Sequence, residues 1–277
     1  MWKSRPPAAA AAPERDPGGP LLLQRLRDYL ITYALLTTLA VMIVGWTVLA
    51  LLLIAPLPER HRRAAARGTM SSGFRLFGRF LTLSGAYRFE LEALDPLRSA
   101  GGLILAPNHP SAFDAIVLLM RHPDLACVMK PALLMNPLLG AGARLAGYIR
   151  SEPPRRLVKS AVAELQRGAA VLLFPEGTRT LHRPVNALTA SVAVIAKHAR
   201  APIQLAYIET DSPYLGKGWP VWKAPRLPIH YRVRLGPRLA APEDVAACMR
   251  TLEAEYATAL AAAPQNAWLA AHPAQTP

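Results

Sequence analysis

The sequence predicts an α/β fold: a largely parallel sheet covered by helices on both faces, with an N-terminal membrane-embedded helix or bent hairpin. Three observations predict it. From residue 81 onward, strand-like apolar runs alternate with helical segments, the order that produces right-handed crossovers and parallel pairing. Upstream, Tyr29 to Leu57 runs without one charged side chain. A chain of 277 residues is long enough for one sizeable α/β domain plus such an extra segment.

Residues 1–20 are rich in Ala, Pro and Gly and offer no repeating apolar face, so a flexible tail is expected there. Residues 21–58 form the expected membrane-embedded segment. As a helix, its uncharged run would reach about 40 Å, more than the ~30 Å hydrocarbon core. That is too long for a signal-peptide core and too short for two complete spans. One tilted helix fits, and so does a hairpin bent near Gly45 that dips into one leaflet. Arg25 and Arg27 precede the run, and the denser cluster of Arg60, Arg62, Arg63 and Arg67 follows it. Positive charge gathers on the cytoplasmic side, which places everything after residue 58 there. The expected location is the cell inner membrane, with the catalytic domain on its cytoplasmic face.

Residues 59–80 mix arginines with Phe74, Leu76, Phe77 and Phe80. Their spacing suits an amphipathic connector lying on anionic headgroups, and equally a solvated helix packed on the domain. Residues 81–261 are the expected catalytic domain. Strand-like runs fall at 81–91, 102–107, 126–130, 169–175, 201–210 and 230–236; helical candidates fall at 112–121, 132–146, 155–167, 188–199 and 243–260. The last opens on Pro242-Glu243-Asp244, with acidic side chains where a helix N-terminus favours them. Residues 262–277 return to the character of the first tail.

Hydrophobic residues make up 52% of the chain and charged residues 18%, which excludes a disordered, collagenous or fibrous protein. Cys127 and Cys248 form no disulfide framework and no C-x-x-C spacing, so a reducing compartment and no structural zinc are expected. The formal net charge of +14 calls for an anionic partner: nucleic acid, phospholipid headgroups or a phosphorylated substrate. Neither G-x-G-x-x-G after the first strands nor G-x-x-x-x-G-K-[ST] occurs, and the dinucleotide and P-loop readings lose their main support.

Two clusters carry the chemistry. Asn108-His109-Pro110-Ser111-Ala112-Phe113-Asp114 follows directly on the run Gly102–Pro107. Reactive groups of α/β proteins gather where strands end and turn into helices. Pro110 and Ser111 make a credible strand-to-helix turn. With the helix starting there, the Asp114 carboxylate can fold back to His109, fix the imidazole tautomer and stabilise the imidazolium. Such a pair is a general base for an alcohol that is not part of the protein. Taken alone it is weak evidence, since chance supplies roughly 0.2 such pairs in this composition. The second cluster, Phe174-Pro175-Glu176-Gly177-Thr178-Arg179, again closes a strand. Arg179 offers a planar fork of donors suited to phosphate, and Thr178 and the turn amides can add more. Glu176 is expected to accept hydrogen bonds from Arg179 or from a substrate hydroxyl.

NHPSAFD followed some 60 residues later by FPEGTR resembles the glycerolipid acyltransferase family, the enzymes similar to 1-acyl-sn-glycerol-3-phosphate acyltransferase. The resemblance covers about residues 80–240. It implies a catalytic pair at His109 and Asp114 and a phosphate-contacting motif at Glu176, Gly177, Thr178 and Arg179. It further implies that the base deprotonates a lysolipid hydroxyl, which attacks the thioester of acyl-CoA or acyl-carrier protein without a covalent acyl-enzyme. Two family motifs match in part. Gly147-Tyr148-Ile149-Arg150 corresponds loosely to one ending in Arg, which makes Arg150 a second phosphate ligand or a surface residue at a strand end. Ala201-Pro202-Ile203 lacks the second Pro of the other. Asn108, Arg150, Glu176, Gly177, Thr178 and Arg179 are thus the substrate-binding candidates. Residues 208–225 differ from a phosphatidate-forming enzyme and resemble acyltransferases found with bacterial aryl-polyene pigment pathways. The implied partners are anionic membrane lipid, a lysophospholipid acceptor and an acyl-CoA or acyl-carrier protein donor. No nucleic acid, cofactor or metal is expected, because a base and an activated thioester suffice.

Two other classes remain open on the residues alone. A thioesterase or lipid hydrolase would use the same base on water. A membrane-anchored basic module binding lipid or nucleic acid would explain the charge but not why both clusters end strands. His61, His122, His182, His198, His230 and His272 show no ligand spacing and are read as structural or exposed. Tyr214, Trp219 and Trp222 suit a packed loop, an acyl tunnel or a membrane interface.

Overall fold

The computed structural model describes residues 20–181 and 184–261. The two expected tails, up to residue 19 and from residue 262, and the two histidines His182 and His272 lie outside the described residues.

Helix α1 (Pro20–Leu49) carries the apolar run, widens into a π-helical turn over Ala50–Ile54, and reverses through a short turn into α2 (Glu59–Leu83). The α-helix passes through Gly45 uninterrupted, so the expected break lies later, where Pro56 and Pro58 withhold backbone donors and release the chain from the helix. Leu21–Ile54 is long and apolar enough to cross a membrane by length and composition. It does not stand apart from the body. Ile54, Ala66, Phe77 and Leu81 belong to the same buried cluster as Tyr87, Phe113 and Val117, and burying each large side chain contributes roughly 1.5–3 kcal/mol.

The strand expected from residue 81 begins only at β1 (Tyr87–Glu90). Leu81 lies one turn after Phe77 on the buried face of α2, and the helix ends at Gly85, whose φ of +69° suits glycine. A 3₁₀ segment (Glu92–Leu97) leads to β2 (Ile104–Pro107), α3 (Asp114–Arg121) and β3 (Leu125–Met129). The single helix expected over 132–146 is two, α4 (Pro131–Met135) and α5 (Pro137–Leu145). Asn136 separates them: it precedes a proline, and its side chain accepts the N–H groups of Leu138 and Leu139 as the cap of α5. A two-residue strand outside the six expected runs, β4 (Ile149–Arg150), follows, then α6 (Pro154–Gln166), β5 (Ala170–Leu172), α7 (Ser191–Ala199), β6 (Ile203–Thr210), β7 (Ile229–Leu239) and α8 (Val245–Leu260).

The seven strands order as β1-β7-β6-β2-β5-β3-β4, parallel throughout except where β7 runs antiparallel to β6. The central strands are apolar on both faces because both are covered. Leu103 and Leu105 enter the cluster under α1–α3, while Ile104 and Ala106 enter the one under α6–α8. β5 divides in the same way, Ala170 and Leu172 against Val171 and Leu173. β2, β3, β4, β5 and β6 therefore all present their carboxyl ends on one side of the molecule.

An ion cluster ties the hairpin to the helix layer beyond the sheet. Arg67, buried, donates to Asp124 at 2.8 Å and to the Ala146 carbonyl at 2.8 Å, and pairs with the buried Glu164 of α6. Arg63 and Arg167 converge on the same carboxylate. Arg63 and Arg67, from the basic start of α2, are thus spent on the domain rather than left to headgroups.

Candidate active site

β2 delivers Asn108 and His109 to the carboxyl end of the sheet, and β5 delivers the loop from Phe174 to Arg179 beside them. Asn108 is buried and clamps β2 to β6. Its amide donates to the Ile208 carbonyl at 2.9 Å, and its oxygen accepts the Ile208 N–H at 2.7 Å. With both ends of the amide engaged, Asn108 holds the loop rather than reaching toward a ligand.

His109 Nδ1 lies 2.8 Å from Asp114 Oδ2. Asp114 is the first residue of α3, where the helix dipole favours a negative charge. The same Oδ2 accepts the Ser111 N–H at 2.8 Å, and Oδ1 accepts the Tyr231 hydroxyl at 3.2 Å. Asp114 is 0% exposed while the His109 side chain is 17% exposed, so the pair has one closed end and one open end. Burial pushes the Asp114 carboxyl above its ordinary value, and the bonds from His109, Ser111 and Tyr231 draw it back. Three donors aimed at one carboxylate favour its ionised form against that burial. With Asp114 ionised the proton lies on Nδ1, which leaves the Nε2 lone pair able to accept one.

The loop after β5 encloses this pair. The imidazole stacks on Phe174 with ring centroids 3.8 Å apart and planes inclined by 17°. Glu176, buried, is not bonded to Arg179 as expected. Its Oε1 accepts the backbone N–H of His109 at 2.8 Å and the Thr180 hydroxyl at 2.8 Å, and its Oε2 accepts the Asn186 N–H at 2.9 Å. The Thr180 N–H in turn donates to the His109 carbonyl at 2.7 Å. Glu176 thus staples the two loops together. Burial raises its carboxyl, opposed by these same donors. Gly177 turns the chain at φ +65°, a left-handed conformation that a side chain would strain, and Thr178 follows, half-buried.

Arg179 Nη1 donates to the carbonyls of Leu215 at 2.8 Å and Gly216 at 3.0 Å. Of the five N–H donors on a guanidinium, this occupies those of one nitrogen. The receiving loop, between β6 and β7, is held a second time by Ser111, whose hydroxyl donates to the Tyr214 carbonyl at 2.9 Å. Leu215 takes φ +57°, a conformation that costs a side chain roughly 1–2 kcal/mol, and its carbonyl receives both Arg179 and the Ala112 N–H.

The structure therefore gathers His109, Asp114, Asn108, Glu176, Gly177, Thr178 and Arg179 at one place. Arg150 ends β4 on the same side, with its Nε buried and without a hydrogen-bond partner. Two strands, β5 and β3, separate it from β2, and three strand spacings put it about 14 Å away. Tyr231, Thr180 and Asn186 join the site without having been singled out by the sequence for it, and Phe174, named in the second cluster without a role, is the residue on which the imidazole stacks. Among the described residues no group of three or more His, Cys, Asp or Glu side chains is placed to hold a metal ion.

Residues 88–209 match the family model described as Acyltransferase. Over 161 residues the chain is 28% identical to the 1-acyl-sn-glycerol-3-phosphate acyltransferase of Pseudomonas aeruginosa, covering 56% of this chain and 60% of that protein. Over 100 residues it is 28% identical to the chloroplastic 1-acyl-sn-glycerol-3-phosphate acyltransferase of Arabidopsis thaliana, covering 34% of this chain and 28% of that one. The chain thus spans less than two thirds of the length of these curated relatives. In fold it resembles the crystal structure of the 1-acyl-sn-glycerophosphate (LPA) acyltransferase from Thermotoga maritima, with a TM-score of 0.66 at 18% identity over 86% of this chain and 96% of that one.

Proposed function

From the premise that the chain belongs to the Acyltransferase family, matched over residues 88–209, we propose that it is a membrane-associated O-acyltransferase. It moves a fatty acyl group from the thioester of acyl-CoA or acyl-carrier protein to the hydroxyl of a lysophospholipid such as 1-acyl-glycerol-3-phosphate. The observation that carries the reading is the 2.8 Å contact between His109 Nδ1 and a fully buried Asp114, with the imidazole itself still partly exposed.

His109 Nε2 takes the proton of the acceptor hydroxyl while Asp114 stabilises the imidazolium that forms. The oxygen attacks the thioester carbonyl, the tetrahedral adduct expels the thiolate, and the imidazolium returns the proton to sulfur. No protein nucleophile is consumed. The free donors of Arg179, with the Thr178 hydroxyl and the turn at Gly177, hold the acceptor's phosphate. Arg150, its Nε unpaired, is a second anchor for that headgroup. Glu176 and Asn108 serve by fixing the two loops. A small apolar cavity of about 40 Å³, lined by Thr32, Leu35, Phe77, Phe113, Tyr214 and Leu227, lies between the helical hairpin and the catalytic loop, an apolar wall for the acyl chain. Leu21–Ile54 anchors the enzyme, and the basic side chains attract anionic lipid, on the cytoplasmic face of the inner membrane.

Purified protein incubated with an acyl thioester and a panel of lysolipid acceptors, with products identified by mass spectrometry, tests the reading. A diacyl product that requires the acceptor is expected. Release of free fatty acid at the same rate with and without acceptor would make the protein a thioesterase instead.

A further inference from the structure

Two loops leave the sheet at the same end as His109: residues 130–139 after β3 and residues 211–228 after β6. Both carry large apolar side chains into solvent. Met135 is 68% exposed and Trp222 is 72% exposed, with Leu138 and Val221 also exposed beside them. Patches of this kind mark interaction surfaces. Basic residues predominate in both: 130–139 carries Lys130 and no acid, and 211–228 carries Lys217, Lys223 and Arg226 against Asp211, which lies at the base of the loop and accepts the His230 N–H.

Helix α1 joins the two loops into one surface. The Tyr33 hydroxyl donates to the Trp222 carbonyl at 2.9 Å, and the Thr47 hydroxyl donates to the Leu138 carbonyl at 2.7 Å. The two contacts are about 21 Å apart along the helix, so α1 reaches from one loop to the other. Its outward side between and beyond them is apolar and exposed, including Leu30, Val41 and Val44. Tyr29 and Tyr33 stack near the Trp222 contact, the residue types that settle at the headgroup level of a bilayer. An apolar surface whose charged fringe is mainly cationic and that bears a helix long enough to cross a membrane fits an anionic bilayer better than it fits a polar partner.

We propose that residues 130–139 and 211–228 insert their tips, at Met135 and Trp222, into the headgroup–acyl boundary of an anionic bilayer. The carboxyl end of the sheet then faces the lipid. The inference deepens the proposed function, resting on its membrane association, and assigns the two loops that make the contact.

The test uses the full chain carrying Met135→Cys, Trp222→Cys or, as a control on the α8 face, Thr251→Cys. Each is labelled with a nitrobenzoxadiazole maleimide and reconstituted into vesicles of phosphatidylglycerol and phosphatidylethanolamine. Both native cysteines are buried, and the unsubstituted chain serves as the blank. Probes at 135 and 222 are expected to emit at shorter wavelength, to be quenched by nitroxide on the lipid chains, and to be quenched by iodide several-fold more weakly than at 251. Iodide reaching 135 and 222 as freely as 251 overturns the proposal. Protection from iodide without quenching by lipid nitroxide also overturns it, because a second copy of the chain then covers the loops. No activity is read, so lipid-buried labels on a catalytically dead protein would remove the enzymatic reading alone.

Discussion

The carboxylate of Asp114 and the imidazole of His109 meet at 2.8 Å, and that carboxylate is itself held by a backbone amide from the intervening turn and by a tyrosine from a distant strand. The histidine is therefore oriented before any substrate arrives, which would spare the proposed reaction the cost of arranging its base.

His109→Ala should lower acyl transfer by at least about 100-fold, the low end for losing a general base. Asp114→Asn should cost on the order of 10²–10⁴-fold, because an amide in that place no longer enforces the Nδ1–H tautomer. Tyr231→Phe, which leaves Oδ2 with both of its donors, should cost less than about tenfold. Product formation per folded protein, with circular dichroism to verify folding, checks all three.

Asn108→Ala should act on stability. It strands the N–H and the carbonyl of Ile208 in the core, and each unpaired group costs about 1–3 kcal/mol. The expected result is a clear fall in melting temperature, read by thermal shift in detergent.

The buried carboxyls of Asp114 and Glu176 are both raised above their ordinary range by desolvation. Between the ordinary value and the raised one, the native state binds more protons than the unfolded state. The stability drawn from these groups is therefore full at the acidic end of that window and is lost as pH rises through it. Glu176→Gln removes one of the two groups and should flatten the decline. Melting temperatures of both proteins between about pH 4 and 7 would display the difference.

Glu164→Ala should destabilise by up to about 3–5 kcal/mol, since it leaves the buried Arg67 guanidinium with only the half-exposed Asp124 carboxylate opposite it. Glu92→Ala removes a partner of Arg121 at 3.3 Å on the surface and should cost no more than about 1 kcal/mol. Denaturant midpoints of the two variants provide the comparison.

His109, Asp114 and the loop from Phe174 to Arg179 were legible because each cluster is contiguous and ends an apolar run, which is where an α/β sheet exposes its chemistry. What the loops do to each other was not legible. The staple from Glu176 to the His109 amide joins positions that only the neighbouring placement of β2 and β5 brings together. Arg179 gave its first donors to a loop whose path depends on a left-handed leucine, which no local pattern announces. Tyr231 is far from Asp114 in the chain. The one hint was alternation along β7, where Ile229, Tyr231 and Val233 turn inward together. The helix boundaries moved for local reasons: Asn136 before a proline divided α4 from α5, and continuing apolar spacing carried α2 past the residue where a strand was expected.

The hairpin of α1 and α2 supplies one wall of a core shared with Phe113, next to the His109–Asp114 pair. Trimming the chain to its family-matched portion in search of a water-soluble fragment would expose the seam at Phe113 and Val117 and discard Arg63 and Arg67, two of the three arginines that neutralise Glu164. Preparations of this protein are best designed around detergent or nanodiscs from the outset, because the segment apolar enough to cross a membrane also supplies Ala50 and Ile54 to the core.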